Sequence, residues 1–183
     1  MEFGVMKKHP YSLAEVYHLL EPEPAVLVST ALEAMKIIMT MSWHPMVECA
    51  PPIIGCVMSE NNYSFHTLKT TQEWVINIPA MSLIEQVEAC GNTSGSEIDQ
   101  FKAFHLTPST ASQINAPLVD ECFAPLECKI IDKQLVKKYN FFILEVVKAG
   151  MTQTEEHRPT IHHLGKGVFM IAGKTIKTNS KMK

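Results

Sequence analysis

The sequence has no run of 18 uncharged apolar residues, so no segment reads as a membrane-spanning helix. Lys7, Lys8 and His9 near the start are not followed by an apolar stretch, and without that leader pattern a cytoplasmic protein is expected. Basic charge is in short supply: 16 Lys and Arg against 19 Asp and Glu give a net charge of −3. No basic stripe interleaves with aromatics, so nucleic acid is not an expected partner. The cluster Lys174, Lys177, Lys181 and Lys183 reads as a solvated tail, residues 174–183. Cysteine is present but unpatterned. Cys49, Cys56, Cys90, Cys122 and Cys128 are odd in number and lack C-x-x-C spacing, which excludes a disulfide framework and a zinc knuckle. Also missing are a Ser/His/Asp grouping, a paired-carboxylate site, a G-x-x-x-x-G-K loop and a G-x-G-x-x-G fingerprint. Without the last of these, a nicotinamide dinucleotide is expected only as a transient visitor.

What is there suits one domain spanning residues 1–183, with 46% hydrophobic and 19% charged residues. A mean hydropathy of +0.02 and 11 methionines predict apolar surface covered by a second subunit. Ser12-Leu13-Ala14-Glu15 has capping-box spacing and predicts an N-terminal helix over about 12–20, stopped by Pro22 and Pro24. Strands are expected at 25–31, 37–43, 53–59 and 74–78, with turns at Pro45, Pro51-Pro52 and Asn61-Asn62. A helix opened by Ser82 with Glu85 and closed by Gly91 follows, then a helix from Ser96 to about Phe104, with Asp99 in its first turn. Strands return at 126–131, 139–147 and 168–172. The run Phe141-Phe142-Ile143-Leu144 is apolar on both faces and predicts a place in a barrel wall or under a dimer partner. Two adjacent helices amid six or seven strands fit an antiparallel barrel with a short helical insertion, not a parallel α/β sheet.

The richest segment chemically is Met39-Thr40-Met41-Ser42-Trp43, followed by Pro51-Pro52 and Ser59-Glu60-Asn61-Asn62-Tyr63-Ser64. Small hydroxyls, an indole and thioethers are what a flat, phosphorylated cofactor such as FMN requires: donors for the phosphate and ribityl arm, apolar walls for the ring. The same alternation, taken alone, is that of a half-buried strand.

Taken together and in order, these motifs resemble the flavin reductase-like family that includes flavoredoxin. The resemblance covers about residues 24–173 and also rests on Thr67, Cys90-Gly91-Asn92-Thr93-Ser94-Gly95, Asp99, Phe101, Leu106-Thr107-Pro108 and Leu126-Glu127-Cys128. It implies a mainly β, antiparallel FMN-binding split barrel and a homodimer with one FMN per subunit. By position, Trp43 would border the flavin, Thr40 and Ser42 would supply donors along the ribityl-phosphate arm, Ser64 would donate to the cofactor near Asn62, and Ser59 and Thr67 would be supporting donors. Three positions depart from the family pattern. Ile37 stands where Asn is common, Gln100 where Lys is common, and Tyr139-Asn140 where a His is common. Gln100 is then expected to meet the phosphate without neutralising it, Asn140 to keep a donor in place of the His, and Phe169 to offer an aromatic near the ring.

The function implied is an FMN-dependent oxidoreductase passing electrons from NAD(P)H or a redox-protein donor to a flavin or other acceptor. The alternative is a non-enzymatic flavin-binding or electron-carrier protein. His162 and His163, with His157 upstream, raise the question of a metal. Neighbours on a strand face opposite ways, so no metal site is assigned and a weak substrate-facing role is expected for the pair. Cys90, near the end of a helix, reads as a packed thiol and not an activated thiolate. Asn62-Tyr63-Ser64 and Asn92-Thr93-Ser94 match glycosylation sequons by chance. Trp74 is expected in the core.

Overall fold

A computed structural model describes residues 23–152 and 159–179. The predicted helix at 12–20, His157, Lys181 and Lys183 lie outside the described residues. Seven strands form one antiparallel sheet: β1 (Val26–Leu32), β2 (Met35–Met41), β3 (Met46–Cys49), β4 (Pro52–Val57), β5 (Glu73–Ile78), β8 (Ala124–Asp132) and β9 (Phe141–Ala149), in the order β2-β1-β5-β8-β9-β4-β3. Small hairpins pair β6 (Pro108–Thr110) with β7 (Pro117–Val119) and β10 (Ile161–His163) with β11 (Phe169–Ile171). Beyond β2 the chain crosses to the far edge of the sheet, where Val57 N donates to Trp43 O (3.0 Å) and Gly55 N to Pro45 O (2.9 Å). This crossing curls the sheet toward the expected barrel.

The apolar run of β1 is continuous because both of its faces are covered. Val26 and Val28 point into the barrel with Met41, Ile54, Trp74, Phe142 and Leu144. Ala25 and Leu27 point outward to a second core containing Ile38, Val87, Cys90 and Phe101. Trp74 is buried as expected, its ring 5.3 Å from that of Phe142 and its Nε1 donating to Leu68 O (3.3 Å). The run 141–144 is likewise explained within one chain. Phe142 and Leu144 fill the barrel, while the Phe141 ring lies over Gly55, where a Cβ would come within 2.4 Å of it.

Four helices are found among the described residues: α1 (Ser64–Thr71), α2 (Ile84–Asn92, preceded by a 3₁₀ turn at Met81–Leu83), α3 (Gln100–Ala103) and α4 (Val136–Tyr139). Several predicted boundaries are corrected. The Ser82 side chain does not cap α2, and Gly91 lies inside that helix, which ends at an extended Thr93. The helix expected from Ser96 is a single turn whose N-cap is Asp99, accepting from Lys102 N. Strand β2 stops at Met41, before Ser42 and Trp43, and β4 stops at Val57. Tyr139 belongs to α4, and Asn140 caps it in a left-handed conformation (φ 55°), so β9 starts at Phe141.

Two buried polar knots hold the connections to the sheet. Asn77 Nδ2 donates to Leu27 O (2.9 Å) and Ser29 Oγ (3.0 Å), Val119 N donates to Asn77 Oδ1 (2.9 Å), and Ser29 Oγ donates to Pro117 O (2.5 Å). The Glu127 carboxylate accepts from Gln113 N (2.6 Å), Ser112 N and Ser112 Oγ, and Lys148 Nζ donates to Ser112 Oγ (2.6 Å). These bonds seat Ala111, Ile114 and Ala116 on Val75.

Two stability predictions follow from this packing. Gly55→Ala pushes a methyl into the Phe141 ring and is expected to cost about 1–3 kcal/mol, read from urea midpoints. Burial pushes the Glu127 carboxyl pKa up, but the hydrogen bonds from Gln113 and Ser112 and the charge of Lys148 outweigh it and hold the group below its usual range. The resulting stabilisation is complete above the unfolded carboxylate pKa of about 4.3 and is lost as pH falls through the lower folded value. Wild type should therefore exceed Glu127→Gln in urea midpoint at pH 7, and the gap should close on acidification below pH of about 4.

Candidate functional site

Thr40 sits where three adjoining hollows meet along β2. One, of about 250 Å³, runs under α2 between Ser42, Val87 and Gly91 to His163 and Phe169. A second, of about 230 Å³, lies among Met39, Ser42, Trp43, Val57, Ser59 and Asn62. A third, of about 110 Å³, is walled by Asn62, Tyr63 and Ser64 on one side and Thr93, Ser94 and Gly95 on the other. The groove thus has an aromatic end, with Trp43 and Phe169 on its two sides, and a small polar end. Period-2 alternation creates this face, since Ile38 and Thr40 point toward α2 while Met39 and Met41 pack inward.

The polar end is built from a helix start and a loop. Helix α1 begins after a turn in which Asn62 N donates to Ser59 O (3.0 Å) and Phe65 N donates to Asn62 O (2.9 Å). No side chain caps this helix, whose positive end adjoins the hollow. Opposite it, Thr93 Oγ1 donates to Ala89 O (2.8 Å), and Glu97 N donates to Ser94 O (3.0 Å) to round the loop.

Most of the sequence-predicted residues meet here, though not always in the expected role. Ser42, Trp43, Ser59, Asn62, Ser64 and Phe169 all line the groove. Thr40 lines all three hollows, but its hydroxyl proton goes to Val87 O at 2.6 Å. What it presents to a ligand is a lone pair, so it is an acceptor and not the expected donor. Ser59 Oγ accepts from Asn61 N (3.2 Å). Of the two histidines, His163 lines the groove, 5.1 Å from the Phe169 ring, while His162 is buried beside Thr160.

Three expectations are overturned. Thr67 lies on the buried face of α1 and does not line these hollows. Asn140 caps α4, with its carbonyl accepting from Met58 N (3.0 Å), outside the groove of its own chain. Gln100 does not face the groove either. It is 4% exposed, and its Nε2 donates to Thr93 Oγ1 (3.0 Å), Cys90 O (3.2 Å) and Thr93 O (3.3 Å). Its Oε1 is left without a partner behind Gly95, where a Cβ would lie 3.4 Å away. Gln100 is therefore the brace of the polar loop. Cys90 is packed as expected, with burial pushing its thiol up to about 12.

Sequence reasoning did not place Tyr63, Thr93, Ser94 or Gly95 in the site. The available signal was the polar run Asn92-Thr93-Ser94-Gly95 directly after a helix, facing a second hydroxyl-rich turn at Asn62-Tyr63-Ser64.

The sequence profile of the flavin reductase-like domain matches residues 19–168. The chain belongs to that family. Among curated proteins it is similar to the uncharacterized protein YddH of Escherichia coli K12, 27% identical over 91% of this chain and 96% of that one. Among solved structures it resembles flavoredoxin of Desulfovibrio vulgaris (Miyazaki F), with a TM-score of 0.82, 20% identity and coverage of 96% and 98%. It also resembles an FMN-binding domain of flavin reductase-like enzymes from Shewanella baltica OS155, with a TM-score of 0.79, 22% identity and coverage of 92% and 96%. These likenesses establish the split-barrel fold.

The groove's own chemistry fits the flavin of such proteins: hydroxyls and a helix start at one end, aromatics at the other, and glycines at 91 and 95 where side chains would narrow the cradle. The brace supplies a test. Gln100→Leu removes three donated bonds and leaves two buried carbonyls short of a donor, and is expected to lower stability by about 1–3 kcal/mol in urea.

Proposed function

We propose that the groove binds FMN, phosphate toward Ser64 and Ser94 and ring toward Trp43 and Phe169, and that the protein is an FMN-dependent oxidoreductase. The observation that carries this reading is the Thr40-centred groove, polar at one end and aromatic at the other. Bound FMN supplies a ring that accepts and releases hydride or single electrons. The chain's task is to position it. The Ser64 and Ser94 hydroxyls and the positive end of α1 hold the phosphate. Thr40, with its proton held by Val87, accepts from a ribityl hydroxyl. His163 stands at the mouth, where NAD(P)H or a redox-protein donor and the electron acceptor would approach.

The working unit in this proposal is a homodimer. The edge strand β3 is exposed along its whole length, with Met46 57% and Val47 54% exposed, and Trp43 nearby is 50% exposed. A bare apolar edge in a seven-stranded sheet favours a covering subunit. Light scattering should give twice the chain mass at micromolar concentration, and a monomer would refute the dimer.

Titration of the flavin-free protein should show tighter binding of FMN than of riboflavin, with Ser64→Ala losing about ten-fold for FMN alone, the scale of one hydrogen bond to a charged group. Trp43→Phe should preserve folding but restore part of the bound flavin's quenched emission. NADH or NADPH should bleach the flavin absorbance. Equal affinity for FMN and riboflavin, unaffected by Ser64→Ala, would remove the phosphate from the polar end. Bound flavin that neither nucleotide reduces points instead to a protein donor or an electron carrier.

A further inference from the structure

Two helices plug one end of the barrel. Phe65 and Leu68 of α1 and Val136 of α4 all pack into the core cluster around Trp74 and Phe142, so the outer sides of α1 and α4 share one end of the molecule. That end adjoins the groove at two points. Ser64, the first residue of α1, lines the polar hollow. Met58 N donates to Asn140 O (3.0 Å) at the end of α4, and the residues on either side of Met58, Val57 and Ser59, line the hollow beside Trp43.

Positive charge and exposed apolar surface coincide there. Lys133, Lys137 and Lys138 lie in the connection from β8 to β9, and Lys69 in the last turn of α1; all four are exposed, and none forms an ion pair with a described residue. The carboxylates next to them in the chain are Asp132, whose Oδ1 accepts from Gln134 N (2.7 Å), and Glu60 in the turn before α1. On a chain of net charge −3 this is a local excess of cations. Leu135 and Tyr139 stand in its midst, one helical turn apart, with Tyr139 N donating to Leu135 O (2.8 Å). They are 45% and 56% exposed, and Lys138 Nζ lies 4.9 Å from the centre of the Tyr139 ring. A merely solvated run of lysines needs no such apolar pair. Two apolar anchors ringed by cations make a surface complementary to an acidic protein.

We infer that the end of the barrel formed by α1 and α4 is the docking face for an acidic one-electron carrier protein, which passes its electrons to the flavin beside Trp43. The inference rests on the flavin reading above and assigns the place and the charge of the redox-protein donor. Helix α1, of eight residues, spans about 12 Å, so a carrier seated on this end stands within one short helix of the groove. Two reduced carriers are each oxidised by one electron, and the flavin is reduced by two, with protons taken from water.

The test mixes the FMN-loaded, full-length protein without oxygen with two acidic carriers in turn, reduced plant-type ferredoxin and reduced flavodoxin, and follows the bleaching of flavin absorbance. At least one carrier should reduce the flavin, at a second-order rate that falls about ten-fold or more between low salt and 0.5 M salt. Combining Lys133→Glu, Lys137→Glu and Lys138→Glu should slow that rate by about ten-fold or more at low salt, the three Lys→Gln changes should slow it less, and Leu135→Ser should slow it at high salt as well. FMN affinity and reduction by dithionite should stay within about two-fold in every variant, because none of these residues lines the groove. Reduction by neither carrier, or rates indifferent to salt and to the variants, overturns the inference and leaves the flavin groove standing. A charge variant that sediments at half the mass of the wild type assigns this face to a subunit contact and overturns it too. Binding to phosphatidylserine vesicles that the charge variant loses, with carrier rates unchanged, assigns the face to an anionic lipid surface instead. A protein that binds no FMN overturns the groove reading and this one with it.

Discussion

The bond from Thr40 Oγ1 to Val87 O fixes how α2 lies across β2, and the shape of the site depends on that crossing. Val87 and Gly91 are one helical turn apart and therefore share a face. The first takes the Thr40 proton, and the second faces the same residue, a Cβ at 91 falling in ordinary contact, 3.5 Å from Thr40 Cβ. From α2 the constraint passes to the polar loop through Gln100, which ties the carbonyls of Cys90 and Thr93 together. One strand, one helix and one buried carboxamide thus set the width of the groove.

The sheet beneath is a stiff support for this arrangement. Asn77 and Glu127 bury polar groups with hydrogen-bond partners, so each knot pins a loop at a defined register and does not leave an unsatisfied cost in the core. The barrel side of β1 and β2 is filled by Val, Met and aromatic side chains, and the opposite side by α2 and α3. A site on the outer face of β2 can therefore vary its lining residues without disturbing the barrel core.

Much of the fold was legible because alternation and turn chemistry are local signals. Strands 26–32, 73–78 and 124–132 differ from expectation by no more than two residues at either end. Helix α1 was not legible, because Ser64 to Thr71 is short, weakly amphipathic and rich in hydroxyls, and its helical form depends on packing Leu68 against Trp74 and the barrel. The capping-box pattern at Ser82 misled for a related reason: a 3₁₀ turn intervenes and shifts the helix start past the serine. In the site, residue types were readable but directions were not. Thr40, Ser42, Trp43 and Ser64 were singled out from residue types and the family resemblance and line the groove, yet the loss of the Thr40 proton to Val87 depends on a residue 47 positions away. Gln100 was misassigned because its position suggested a phosphate contact, whereas its amide nitrogen is held by backbone carbonyls that only the folded loop brings together.

The proposed flavin lies along β2 between α1 and α2. Backbone hydrogen exchange of the full-length protein with and without saturating FMN tests it most directly, because it reports where protection appears regardless of turnover. Bound flavin should slow exchange at 40–43, 62–65 and 91–96 and leave the β6–β7 hairpin unchanged. Protection confined to other segments, or none despite measured binding, would contradict it.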